Sequence, residues 1–244
     1  MNKILGYIFT PVYFFVYGFL LILFHPIQWL SLKLGGYSGH KKAVDVLNFF
    51  LVSALYIIGT RIKYINKYHL PKDRSIIFIA NHQSMNDIPP MIWFLREHHV
   101  KFISKIELTR GIPSVSFNLK YGGAANIDRN DPKQSIMEIM KLGQRMKEKK
   151  WSAFIFPEGT RSKTGIMKPF VTGGVATLLK KAPESLIVPI AIENSWKVVR
   201  YGNMPLSFGE KMIFTVLEPI EPAGRAADEL VRLAESQIKE KINQ

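Results

Sequence analysis

The sequence predicts an α/β domain, with a central mostly parallel or mixed sheet flanked by helices, preceded by an N-terminal membrane-embedded two-helix segment. Three observations carry this. From Arg61 onward, short apolar runs of strand length alternate with stretches of helical periodicity, the pattern of strands connected by helices. The first apolar stretch, Ile4–Phe24, is long enough at about 1.5 Å per residue to cross a roughly 30 Å hydrocarbon core. No Lys, Arg, Asp or Glu stands between Lys3 and Lys33. The 244 residues therefore divide into a membrane-associating helical segment, 1–60, and an α/β domain, 61–244.

The N-terminal run is rich in aromatics and leads into His25-Pro26-Ile27-Gln28-Trp29. A signal peptide is the rival reading, but its apolar region is about 7–15 residues long and ends at a small-residue cleavage site. A second apolar run, Val46–Thr60, follows the basic, Gly-rich turn Gly35–Lys42 and is too short to span a bilayer unaided. Two helices joined in this way suit a monotopic hairpin in one leaflet, or a single-span anchor. Pro11 and Pro26 are expected to kink or end them, and Tyr7, Tyr13, Tyr17 and Trp29 suit a headgroup boundary. A buried helical hairpin in a soluble core is the other reading.

In the second part, Ser75–Ala80 (SIIFIA), Val100–Ile103, Ser152–Phe156 and Leu186–Ile192 read as buried strands, Ala124–Asp128 as a weaker one and Met212–Leu217 as the last. Asp131-Pro132 opens a helix: an N-cap Asp, Pro at the first helical position and Gln134 three residues after the cap. Ile136, Ile139, Met140, Gly143 and Met146 then share a face. Arg225–Ile242 carries a second apolar stripe at helical spacing, as core packing requires.

Hydrophobic residues make up 47% of the chain and charged ones 21%, which excludes a disordered chain. The net charge of +14 implies an anionic partner: nucleic acid, an anionic membrane surface or a phosphorylated substrate. There is no Cys, so disulfides, thiolate metal sites and Cys nucleophiles are excluded. The six His are scattered, with His98-His99 in a charged stretch, so no metal site and no cofactor is expected. A nucleic-acid partner is not expected either, since no recognition motif accompanies the charge.

Chemistry-bearing residues follow the strands, where open α/β sheets bind ligands. His82 stands directly after SIIFIA, with Asp87 five residues on. On a regular helix that spacing would splay the two apart, but across a turn entering a helix at Pro89-Pro90 the carboxylate can fold back to fix the imidazole tautomer. The competing reading is that Asp87 or Ser84 merely caps the helix. After SAFIF comes Phe156-Pro157-Glu158-Gly159-Thr160-Arg161-Ser162, in which Arg161 suits a phosphate and Glu158 a hydroxyl, or the two form a structural ion pair. Lys105 and Arg129 each follow a strand as well. In Val188-Pro189-Ile190, a Pro within an apolar strand suggests an edge, a bulge or a wall shaped for a ligand.

These blocks, in this order, resemble the glycerolipid acyltransferase family, and most closely its 1-acyl-glycerol-3-phosphate acyltransferases. Asn81-His82…Asp87 matches the family's His-x4-Asp motif. Lys105-Ile106-Glu107-Leu108 through Gly123…Arg129 matches its second block, Phe156–Ser162 its third without change, and Val188-Pro189-Ile190 its apolar Pro block. The likeness covers about residues 61–217, and the apolar N-terminus resembles membrane-bound bacterial members. Asn126 stands where an aromatic often precedes Ile-Asp-Arg, and no Lys follows Phe170, though Lys168 precedes it.

The resemblance implies acyl transfer from a CoA or acyl carrier protein thioester to a lysophospholipid hydroxyl, at the cytoplasmic face of the cell membrane. His82 and Asp87 would be the catalytic pair. Lys105, Arg129, Glu158, Gly159, Thr160 and Arg161 would bind the acceptor, and Val188, Pro189 and Ile190 would wall the donor or acyl chain. Other acceptors (glycerol 3-phosphate, a lysophospholipid with a larger headgroup) stay open. So do a non-catalytic basic membrane-surface protein and a hydrolase transferring acyl groups to water.

Overall fold

In a computed structural model, which describes residues 1–242, seven strands form one sheet in the order β1-β7-β6-β2-β5-β3-β4. The strands are β1 Arg61–Ile65, β2 Ile76–Ala80, β3 Val100–Lys105, β4 Ala125–Ile127, β5 Ser152–Ile155, β6 Leu186–Glu193 and β7 Lys211–Val216. All neighbours are parallel except β6 and β7. β6, β2, β5, β3 and β4 therefore share a direction and bring their carboxyl ends to one edge, while β1 and β7 run the opposite way. The helices are α1 Asn2–Ala54, α2 Ile88–Phe94, α3 Val115–Tyr121, α4 Pro132–Lys149, α5 Gly173–Leu179, α6 Ser195–Val198 and α7 Ala227–Ile242.

The continuous apolar runs are explained by burial on both faces. In β2, Ile76, Phe78 and Ala80 face a core built with Met91, Phe154, Val188 and Phe214. Ile77 and Ile79 face another, built with Leu142, Met146, Val175, Leu178 and Leu230 from α4, α5 and α7. α4 starts as its residues predict: the Asp131 carboxylate accepts the Gln134 N–H at 3.0 Å. The Gln134 side chain does not close the capping box. It accepts the Asp128 N–H at 2.8 Å and donates to the Asn126 carbonyl at 2.9 Å, which braces the turn that carries Arg129.

Arg61 and Lys63 lie in β1. Its five residues alternate polar and apolar at a sheet edge and carry little apolar signal. Pro189 is not at an edge: it lies in β6, between β2 and β7, paired with Ile79, and beside it the antiparallel pairing slips by one residue, from Pro189 with Leu217 to Ile187 with Ile220, as at a bulge. It is tolerated because its nitrogen falls at the end of the β6–β7 ladder, where Leu217 N–H donates to the Pro189 carbonyl at 2.9 Å and the reciprocal bond is the one Pro cannot make. Neither Pro11 nor Pro26 ends a helix; both lie within α1.

α1 is two helices that meet at Gly36, whose φ of 55° and ψ of −148° break the helical run. The first arm packs closely on the domain. A Cβ at Gly6 would stand 2.1 Å from the carbonyl oxygen of Leu206. The hairpin is not enclosed by the domain, as the soluble-core reading required: Ile4, Phe15 and Ile22 are 69%, 74% and 64% exposed. The helix is long and apolar enough to cross a membrane by length and composition.

Beside the hairpin turn, Lys101 of β3 is buried, with its Nζ 4.7 Å from the Tyr37 ring centre and 4.6 Å from that of Trp151. Burial, and then the charge of Lys41, push its pKa from 10.5 down to about 7. The unfolded chain thus takes up a proton that the folded chain refuses. As pH falls between those two values, the wild type loses about 1.4 kcal/mol of stability per pH unit, and below the lower one the loss is constant. Lys101→Met is therefore expected to melt higher than the wild type at neutral pH, the gap closing as pH rises toward 10.5. A lower melting temperature at neutral pH would mean that the cation–π sandwich outweighs desolvation.

Candidate active site

The site is built where β2 ends. The Asn81 amide donates to the Ile192 carbonyl and accepts the Ile192 N–H, both at 2.8 Å, which extends the β2–β6 pairing by a side chain. The next residue, His82, is clamped through its backbone by the loop after β5. Its N–H donates to Glu158 Oε1 at 2.6 Å, and its carbonyl accepts the Ser162 N–H at 2.7 Å.

The chain then turns. Ser84 caps a single 3-10 turn, Met85–Asp87, in a capping box with Asp87, and α2 follows with Pro in its first turn. Asp87 has no exposed surface. Its Oδ2 accepts the N–H groups of Gln83 at 2.7 Å and Ser84 at 2.9 Å, and lies 2.8 Å from His82 Nδ1. Its Oδ1 accepts the Ser195 hydroxyl. The capping reading and the pairing reading are thus both met by one carboxylate. An ionised carboxylate only accepts, so in the neutral imidazole Nδ1 carries the proton and Nε2 keeps its lone pair. The ring lies on Phe156, 3.9 Å between centres and 15° from parallel. One face and one edge of the imidazole are held, and the His82 side chain remains 14% exposed.

Glu158 is not the partner of Arg161. It is buried, with Oε1 taken by the His82 N–H and Oε2 by the Lys168 N–H at 2.9 Å. Both oxygens brace backbone rather than lying free for a hydroxyl. Burial pushes its pKa up, against the pull of those two N–H groups. Gly159 takes a φ of 68°, which turns the loop so that Thr160 and Arg161 stand exposed. Lys105 closes β3 and Arg129 follows β4, on the sheet edge where His82 stands, both exposed. Among the described residues, none of the three cations Lys105, Arg129 and Arg161 forms a salt bridge. Val188 and Ile190 are fully buried in the core under the hairpin. Among the described residues, no cluster of three or more acidic or His side chains is placed to hold a metal.

Ser195 was missed from the sequence. It stands at the start of α6, just beyond the end of β6, as His82 stands beyond β2. That position was its only signal. Gln83 was missed as well; its side-chain oxygen accepts the Trp196 N–H at 3.3 Å and ties the His82 turn to α6.

Fold and site define an α/β protein with a His–Asp pair mounted at the carboxyl edge of the five co-directional strands of a mixed sheet, among exposed cations. The family model described as Acyltransferase matches residues 61–193, and the chain belongs to that family. It is similar to the 1-acyl-sn-glycerol-3-phosphate acyltransferase alpha of Mus musculus, 26% identical over 79% of this chain and 66% of the relative. A chloroplastic 1-acyl-sn-glycerol-3-phosphate acyltransferase of Brassica napus is 30% identical over 70% of this chain and 47% of its own length. The chain thus spans between about half and two thirds of these relatives. The crystal structure of the 1-acyl-sn-glycerophosphate acyltransferase from Thermotoga maritima shares the fold. Its TM-score is 0.81 at 23% identity, over 100% of this chain and 97% of that one.

Proposed function

We propose that this protein transfers a fatty acyl chain from an acyl thioester to the free sn-2 hydroxyl of lysophosphatidate, giving phosphatidate. The observation that carries the reading is His82: Nδ1 pinned to buried Asp87, Nε2 free, on the edge that also bears Lys105, Arg129 and Arg161. Nε2 takes the proton of the acceptor hydroxyl as its oxygen attacks the thioester carbonyl. Collapse of the tetrahedral intermediate expels the thiolate, which takes the hydroxyl's proton from the imidazolium. Asp87 stabilises that imidazolium, and Ser195 and the two backbone N–H groups hold Asp87.

The exposed cations bind the acceptor phosphate, with Arg161 presenting a planar fork that Lys cannot copy. Gly159 and Thr160 shape the approach, and Glu158 positions His82 through its backbone. The donor carrier is CoA or acyl carrier protein. The hairpin, 1–60, rests in the cytoplasmic leaflet, where an acceptor can enter the domain, 61–244, without exposing its tail to water. The names of the relatives support lysophosphatidate over other acceptors.

The test supplies purified protein with labelled lysophosphatidate and an acyl thioester. Labelled phosphatidate is expected. Arg161→Ala should raise the acceptor KM or lower kcat, with Arg161→Lys a partial rescue. Release of fatty acid without acceptor dependence would make the protein a hydrolase, and an unchanged acceptor response in Arg161→Ala would remove Arg161 from the phosphate site.

A further inference from the structure

The segment between β3 and α3 presents apolar side chains outward from an ordered turn. Ile106 and Leu108 are 38% and 39% exposed, and Tyr121, at the end of α3, is 55% exposed. They are not on a loose loop. The Thr109 hydroxyl donates to the Ile106 carbonyl at 2.7 Å, and the Ser116 hydroxyl to the Leu108 carbonyl at 2.9 Å. The segment is also fastened to the hairpin. Buried Ser114 donates its hydroxyl to the Leu21 carbonyl at 2.6 Å and its N–H to His25 Nδ1 at 3.1 Å. Ile112 and Val115 pack on Leu21, Phe24, Leu47 and Leu51. The segment with exposed Ile106 and Leu108 is therefore docked directly on the hairpin, which itself exposes Phe15 and Ile22. Exposed Lys105, Arg110 and Lys120 flank the segment, against a single exposed acid, Glu107.

We infer that this β3–α3 segment is a second membrane contact: Ile106, Leu108 and Tyr121 enter the headgroup boundary of an anionic bilayer, and Arg110 and Lys120 meet its phosphates. An apolar patch with a basic rim fits a membrane interface, and basic side chains near an anionic leaflet are attracted to it. The inference rests on the reading of the hairpin as the membrane-resident part. Its consequence is geometric. β3 ends on the sheet edge that carries His82, so seating this turn in the interface brings the mouth of the site down to the headgroups.

The chain has no Cys, so a single introduced thiol can be labelled cleanly. Leu108→Cys, Ile22→Cys on the hairpin and Met137→Cys on α4, each carrying a nitroxide, are bound as the full chain to phosphatidylcholine vesicles containing phosphatidylglycerol. The label at 108 is expected to behave like that at 22, relaxed by oxygen dissolved in the bilayer and protected from an aqueous nickel chelate, with the label at 137 the reverse. Leu108→Asp and Tyr121→Asp should each weaken vesicle binding. A label at 108 as open to nickel as that at 137, with 22 still in lipid, would overturn the second contact and leave the hairpin reading standing. Shielding of 108 from both agents would also overturn it, and would assign the patch to a protein surface such as a second copy. Exposure of both 22 and 108 to nickel would reject the hairpin reading and this inference together. None of these readouts requires turnover, so an inactive protein would bear only on the proposed reaction.

Discussion

His82→Ala is expected to lower kcat by about 10²–10⁴-fold, the usual contribution of a positioned general base, or roughly 3–5 kcal/mol of barrier. The fold should survive. The clamp on residue 82 uses its N–H and carbonyl, which Ala retains. Asp87 keeps its bonds from Gln83, Ser84 and Ser195. The side chain gives up its hydrogen bond to Asp87 and one stacking contact with Phe156, at a partly exposed position. A melting temperature close to wild type with lost turnover is the expected pair of results. Near-normal turnover would mean that the proton leaves by another route.

Asp87→Asn is expected to cost both rate and stability, because one carboxylate serves both. An amide is close to the carboxylate in shape and can keep its oxygen toward the Gln83 and Ser84 N–H groups while its NH2 meets the Ser195 hydroxyl, which can turn to accept. The negative charge beside Nδ1 is lost, and with it the stabilisation of the imidazolium. The rate should fall by about 10²-fold or more, and stability by about 1.5–3 kcal/mol for the lost charge-assisted bonds. Ser195→Ala separates the two contributions. It leaves the charge and removes the hydrogen bonds of Ser195 to Asp87 and to Ser84, about 1 kcal/mol each, so it should slow turnover only severalfold and leave the acceptor KM unchanged. A large loss in Asp87→Asn stability with unchanged kcat would reduce the carboxylate to a helix cap.

The elements that were legible in the sequence are those in which one physical demand dominates the residues. SIIFIA and LIVPIAI read as buried strands because a strand covered on both faces must be apolar throughout. Asp131-Pro132 marked a helix start because few residues satisfy the first free N–H groups. β1 did not read as a strand. Its partner, β7, lies 150 residues away in sequence, at Arg61↔Lys211, and a half-exposed edge accepts almost any alternating composition. Pro189 left several readings open for a related reason: whether its missing N–H matters depends on where the neighbouring strand ends, which only the register with β7 shows.

The composition and motif order of this chain by themselves determined its class: an apolar helical segment followed by an α/β domain, with His82, Asp87, Lys105, Arg129 and the Phe156–Ser162 block each set at or soon after the end of a strand. Those properties are local, written within a few residues of the groups that carry them. Only the tertiary structure decided how the groups are used. It placed both Glu158 oxygens on backbone N–H groups instead of toward Arg161, and set Ser195 on Asp87 across a separation of 108 residues. It also buried Val188 and Ile190 as core and joined the β3–α3 turn to the face of the hairpin. Hydrogen-bond partners and shared surfaces depend on strand order and helix docking, so sequence spacing alone could not assign them.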